Sequence, residues 1–179
     1  GTPQHRMKVV DLETGNFVWK KFRDVSGGEW VPTLLGGMFG KPQEVPLVDV
    51  SAPYGQAIDR KVRAPEKMTK ELAELVGYFM AEGSLHAKGL RFSHAAADVD
   101  LRKWSVERAQ ELFGIEATVE QRENYDVVCL NSTQVARWWS ANGLAKTPGK
   151  KRGKGWKPRI PDAVLSTNDP SVYAAFLRG

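Results

Sequence analysis

The stretch "ELVGYFMAEGSL", Glu74–Leu85, decides how the chain is read. With Leu72 just ahead of it, the apolar positions Leu72, Leu75, Val76, Phe79 and Met80 follow the spacing of one helix face. Thr69 is placed to cap this helix, Glu71 and Glu74 suit the positive end of its dipole, and Gly83 is placed to stop it. Gly77 and Ala81 form a second stripe, small enough for another helix to approach at backbone distance. Glu82 then stands at the far end of that contact, beside its counterpart on the partner helix. Two carboxylates so placed repel each other unless a divalent cation lies between them. Carboxylate, water and phosphate oxygens are the ligands Mg²⁺ takes, and such a site can activate water and stabilise the leaving oxygen of a phosphodiester.

Downstream, "SLHA" and "LRFSHA" flank Lys88-Gly89 as a hairpin, and Asp98 or Asp100 can cap a helix that runs through Phe113 and closes at Gly114. "EATVEQR" and "YDVVCLN" flank Glu123-Asn124 as a second hairpin. Ser132 or Thr133 opens a helix through Ala141, closed by Asn142-Gly143. The order over residues 69–143 is α-β-β-α-β-β-α, an α+β pattern. Upstream, "HRMKVVDL" and "NFVWKKF" flank a Gly-containing turn and read as a hairpin within a β segment, continued by short extended pieces in "GGEWVPTLLGG". Residues 38–68 are proline-rich and aperiodic, and read as a connection with one short strand at Pro46–Val50. The organisation expected is thus 1–37, a linker at 38–68, and a main unit at 69–179.

The stretch "LVGYFMAEGS" resembles the signature of the LAGLIDADG homing endonucleases, with Gly77, Ala81, Glu82 and Gly83 at matching positions. The resemblance implies that family's αββαββα half-domain, in which two signature helices pack together and the last acid of each binds metal. It thus implies Glu82 as catalytic residue and metal ligand, with Mg²⁺ as cofactor. The C-terminal "KPRIPDAVLSTNDPSVYAAFLRG" resembles the segment before the second signature in intein-borne members, where a Lys-containing stretch ends in Ile-Pro and a helix begins "FLRG". The match implies Lys157 as the lysine near the active site, with Lys154 and Arg159 as close rivals. It also implies a chain cut at Gly179 before the second acid, so that a monomer would bind Mg²⁺ poorly and cut nothing. The N-terminal "GTPQHR" resembles the Thr-x-x-His motif of intein (Hint) splicing domains, which implies Thr2 and His5 as the residues that polarise a scissile peptide bond. A hydroxyl donor and an imidazole that titrates near neutral pH suit that task. The flanking host segments, or exteins, would then be partners.

Charge points the same way. The chain of 179 residues carries +5, yet seven Lys/Arg and no acid lie in "KTPGKKRGKGWKPR", Lys146–Arg159; taking those seven away leaves −2. Charge this dense binds phosphate, and Lys150, Lys151, Arg152 and Lys154 are expected to hold duplex DNA with a steep salt dependence. Arg91, Ser93, His94, Gln121, Arg122, Asn124 and Asn131 alternate with apolar neighbours on the hairpins, as expected if one sheet face packs on helices and the other reads major-groove edges. The lone Cys129, set mid-strand, reads as core, cannot form an internal disulfide, and suits a reducing cytoplasm. No apolar run reaches the roughly 20 residues that span a bilayer. His86, His94 and Asp98 do not make a convincing metal set, and "GGMFG" lacks the Lys-Ser/Thr of a phosphate loop. The function expected is Mg²⁺-dependent, site-specific cleavage of duplex DNA. The rivals are a non-catalytic DNA-binding module and a splicing-only chain with a decayed nuclease. A bare Glu82 helix would also allow self-association through Gly77 and Ala81.

Overall fold

The computed structural model describes residues 2–32, 40–50, 62–148 and 156–179. The chain divides into two compact units, Gly1–Gly40 and Lys41–Gly179. No helix among the described residues is long and apolar enough to cross a membrane.

The first unit is built on a hairpin, β1 (Arg6–Val10) and β2 (Phe17–Lys21), followed by a 3-10 turn at Phe22–Asp24. Its turn forms because the Asp11 carboxylate accepts from the Glu13 and Thr14 amides at 2.9 and 3.3 Å, while Gly15 takes a left-handed φ of 71°. Val9 is its buried apolar residue among those described, whereas Phe17, Trp19, Phe22 and Trp30 are exposed.

The second unit follows the expected order: α1 (Lys70–Glu82), β3 (Gly83–His86), β4 (Gly89–Ala95), α2 (Val99–Phe113), β5 (Thr118–Gln121), β6 (Tyr125–Leu130) and α3 (Thr133–Ala141). Two short strands, β7 (Thr147–Pro148) and β8 (Trp156–Lys157), and two further helices, α4 (Asp162–Leu165) and α5 (Pro170–Arg178), complete it. The caps act as read: the Thr69 hydroxyl accepts from Leu72 N and the Ser132 hydroxyl from Val135 N, both at 3.2 Å, and Gly114 closes α2 at φ 65°. Strands β3, β4, β6 and β5 lie in that order as one antiparallel sheet.

One face of the sheet carries Leu90, Phe92, Val128 and Leu130 against the helices, joined by Phe79, Phe113, Trp138 and Trp139 in one core. Helix α1 is buried from Leu72 to Met80 almost all round, which a surface helix never is. The reason is that α5 covers its other side. A Cβ at Gly77 would overlap the Phe176 carbonyl, and a Cβ at Gly179 would overlap the Glu74 carbonyl, so the two backbones touch. Glu74 secures the crossing, paired with Arg178 of α5 at 2.7 Å and Arg108 of α2 at 3.0 Å.

Three expectations need correction here. Residues 46–50 form no strand but an isolated bridge, Pro46 to Lys67, while Val45, Leu47 and Val50 pack on the core. The terminal helix begins at Pro170, six residues ahead of Phe176, because Asp169 caps it from its side chain and Pro170 suits the first turn. Gly77 is covered by α5 and is not free for self-association; Ala81 alone of that pair stays exposed.

Candidate functional site

Glu82 is the last residue of α1 and is exposed. It takes no hydrogen bond or ion pair from the described residues, but its charge is felt around it. Tyr78, one turn earlier, is pushed up to about 12, first by burial and then by the negative charges of Glu82 and Asp98. Lys146 lies on the other side: its Nζ is 3.3 Å from the Ala81 carbonyl, to which it donates, and 5.7 Å from the centre of the Phe79 ring. Burial pulls the Lys146 ammonium below the usual lysine range, and Glu82 opposes that shift. A carboxylate and a partly desolvated ammonium thus share the end of α1. Lys157 is exposed on β8, in register with Thr147 beside Lys146. Arg159 is occupied elsewhere, since its guanidinium donates to the Gly143 and Ala145 carbonyls behind α3, the latter at 3.4 Å. Lys150, Lys151, Arg152 and Lys154 lie outside the described residues.

Strand alternation sorts the hairpin donors. Arg91 and Ser93 point away from the helices, in register with Cys129 and Val127, and Glu120 stands on the same outer face opposite Val127. Arg122 follows β5 and donates to Glu120 at 2.7 Å, while Arg91 approaches Glu120 at 4.0 Å. Ser84 and His86 share this face on edge strand β3, 2.9 Å apart. Asn131 donates to the Thr118 hydroxyl at 3.1 Å. Gln121 falls in the other row, opposite Asp126, and is exposed at the sheet edge.

His94 is a correction. With Arg91 and Ser93 outward, alternation turns it inward, where it is 3% exposed and cannot meet a ligand on the outer face. Its Nδ1 lies 2.9 Å from the Tyr78 hydroxyl and its Nε2 3.0 Å from that of Ser105. Burial lowers its pKa, as does Arg102, against the raising effect of Asp126, Asp98 and Glu82. Cys129 is fully buried, yet it lies on the outer side of the sheet with its Sγ donating to Glu120 at 3.6 Å. Burial and the Glu120 charge push its thiol up, so it is no nucleophile. Among the described residues no group of three or more His, Cys, Asp or Glu is gathered for a metal ion.

No family model matches the chain. It is similar to the A chain of the A-type ATP synthase of Pyrococcus abyssi. The two are 28% identical over 119 residues, which make up 66% of this chain and 11% of the archaeal protein. The chain therefore spans a small part of that relative's length.

In the first unit, Thr2 and His5 are exposed and close one turn, the His5 amide donating to the Thr2 carbonyl at 2.9 Å. Neither side chain is committed to another described residue. Sequence reasoning names Lys146 only as one cation of a basic run and passes over Glu120. The contacts that single them out cross 65 residues to Ala81 and join three strands, so no local spacing could announce either.

Proposed function

We propose that the second unit is one half of a LAGLIDADG-type homing endonuclease that binds duplex DNA and, in its complete form, cuts it with Mg²⁺. The observation that carries this reading is the backbone-to-backbone crossing of α1 and α5 with Glu82 exposed at its end. A glycine contact of this kind brings the ends of two helices together, and an acid there with no other partner has a reason to stand free. The outer sheet face, with Arg91, Ser93, Ser84 and Arg122, offers the donors that base edges and phosphates accept.

The donor set suits Mg²⁺ only in part. Glu82 would hold it together with water and phosphate oxygens, since Mg²⁺ keeps several waters and takes one or two carboxylates. Bound there, the ion would supply charge stabilisation and an activated water. The second carboxylate would come from outside the described residues. Lys146 keeps the end of α1 positively charged toward a phosphate, and its contact with the Ala81 carbonyl fixes where Glu82 leaves the helix.

The first unit, with Thr2 and His5 in one exposed turn, belongs in this reading to an intein splicing domain. The likeness to a short part of a much longer archaeal protein suits an intein lodged in a host protein.

The test is Mg²⁺-dependent cutting of a library of duplex sites by the protein in its host context, parent against Glu82→Gln. The exchange keeps the shape and removes the charge. It is expected to abolish cutting while duplex affinity stays within about 3-fold, because one exposed acid makes no phosphate contact. Cutting by the variant at the parent's rate would overturn the assignment. Binding without cutting by the parent would favour a non-catalytic DNA-binding module, which the single free carboxylate at the end of α1 among the described residues also fits.

A further inference from the structure

The outer face holds one feature that phosphate binding does not explain, a carboxylate near its centre. A face that only gripped the DNA backbone would gain nothing from Glu120, whose charge repels phosphate. Yet Glu120 is 37% exposed and is braced on several sides. Arg122 donates to Oε2 at 2.7 Å, Arg91 stands 4.0 Å from Oε1, and the Cys129 thiol donates to Oε1 from below at 3.6 Å. The Arg91 guanidinium reaches Glu120 from β4, across the intervening strand β6. The bracing fixes the carboxylate's direction and leaves it lone pairs to offer.

Base chemistry says what such a group can read. In the major groove cytosine presents a lone amino donor at N4, whereas adenine sets its N6 donor beside the N7 acceptor, which would face the carboxylate with like polarity. Guanine, the partner of cytosine, presents O6 and N7 as acceptors for a guanidinium. A carboxylate flanked by two arginines is therefore complementary to a C·G pair and its neighbours. We propose that Glu120 is a specificity-determining residue, accepting the N4 amino group of one cytosine while Arg91 or Arg122 addresses guanine acceptors beside it. This rests on the duplex-DNA reading given above.

The experiment is selection of binding sites from a synthetic duplex pool with a randomised centre, run with the whole chain and with Glu120→Gln and Glu120→Ala. Thermal melts confirm that both variants fold like the parent. The parent should show one position at which cytosine is preferred by about 10-fold, within the roughly 5- to 150-fold that one good base contact gives. Glu120→Ala should erase that preference alone. Glu120→Gln should replace it with adenine, whose N6 and N7 a carboxamide matches. Both variants should bind a duplex of mixed sequence more tightly than the parent, because a negative charge has gone. Unchanged site preferences in both variants overturn the role of Glu120 and leave the DNA reading standing. A uniform loss of affinity at every sequence overturns it too, since Glu120 would then only support its arginines. No duplex binding by the parent removes both readings.

Discussion

The two faces of the four-stranded sheet are made by alternate residues of the same strands, and they treat polar groups in opposite ways. On the helix-packed face His94 and Asp126 are 3% and 4% exposed, and each is enclosed: His94 between Tyr78 and Ser105, Asp126 with the Arg102 guanidinium. On the outer face Arg91, Glu120 and Arg122 bond one another while 37–53% exposed. A buried polar group without its partner bears the full cost of leaving water, so the inner set is fixed by stability. The outer ion pairs lie in water and contribute little to the fold, so they can trade partners for a ligand. Stability and recognition are thus one residue apart along each strand.

Substitutions can break that contrast. Phe92→Ala empties the centre of the inner face, where the ring stacks with Tyr78 and meets Phe79 edge-on at 6.1 Å each. It should cost about 3–5 kcal/mol in a urea melt. Gly77→Ala tests the other side of α1: its methyl meets backbone that cannot turn aside, and a loss of about 1–3 kcal/mol is expected. A neutral result there would mean that α5 does not seat on α1 in solution.

A smaller effect concerns pH. His94 is held below its ordinary 6.5 by burial, so as the pH falls the unfolded chain takes up its proton first. The contribution of the neutral ring is complete above about 6.5 and is lost as the pH drops from there through the lowered value of the folded state. Urea midpoints measured across this window should slope downward on the acid side, and His94→Gln should flatten that part of the slope. Arg122→Ala, on the outer face, should change stability by no more than about 0.5 kcal/mol. If it contacts a phosphate, the salt slope of duplex binding should shrink by about 0.9.

What can be read in the sequence is local. Thr69, Ser132 and Gly114 announce helix ends within one turn, and Lys88-Gly89 announces a hairpin, because each satisfies backbone groups of its immediate neighbours. The strand expected at 46–50 is absent because Val48 and Val50 resemble strand residues while the chain there only bridges to Lys67. The run Val127-Val128-Cys129-Leu130 has no alternation at all. It lies on β6, a central strand buried on both sides, so nothing in it reveals which face Cys129 takes. Glu82 is legible through its place in a helix-ending motif. Lys146 and Glu120 gain their meaning only from contacts made after folding.

The crossing of α1 and α5 also sets an order of events during synthesis. Gly77 and its partner Phe176 are separated by roughly 100 residues, which at about 5–20 residues per second is some 5–20 s of translation. Through that interval the sheet and α2 can cover one side of α1 as they emerge, while its other side, around Gly77 and Met80, waits bare. An apolar helix face open for seconds on a ribosome is what chaperones bind, so the step most exposed to misassembly is the arrival of the last helix.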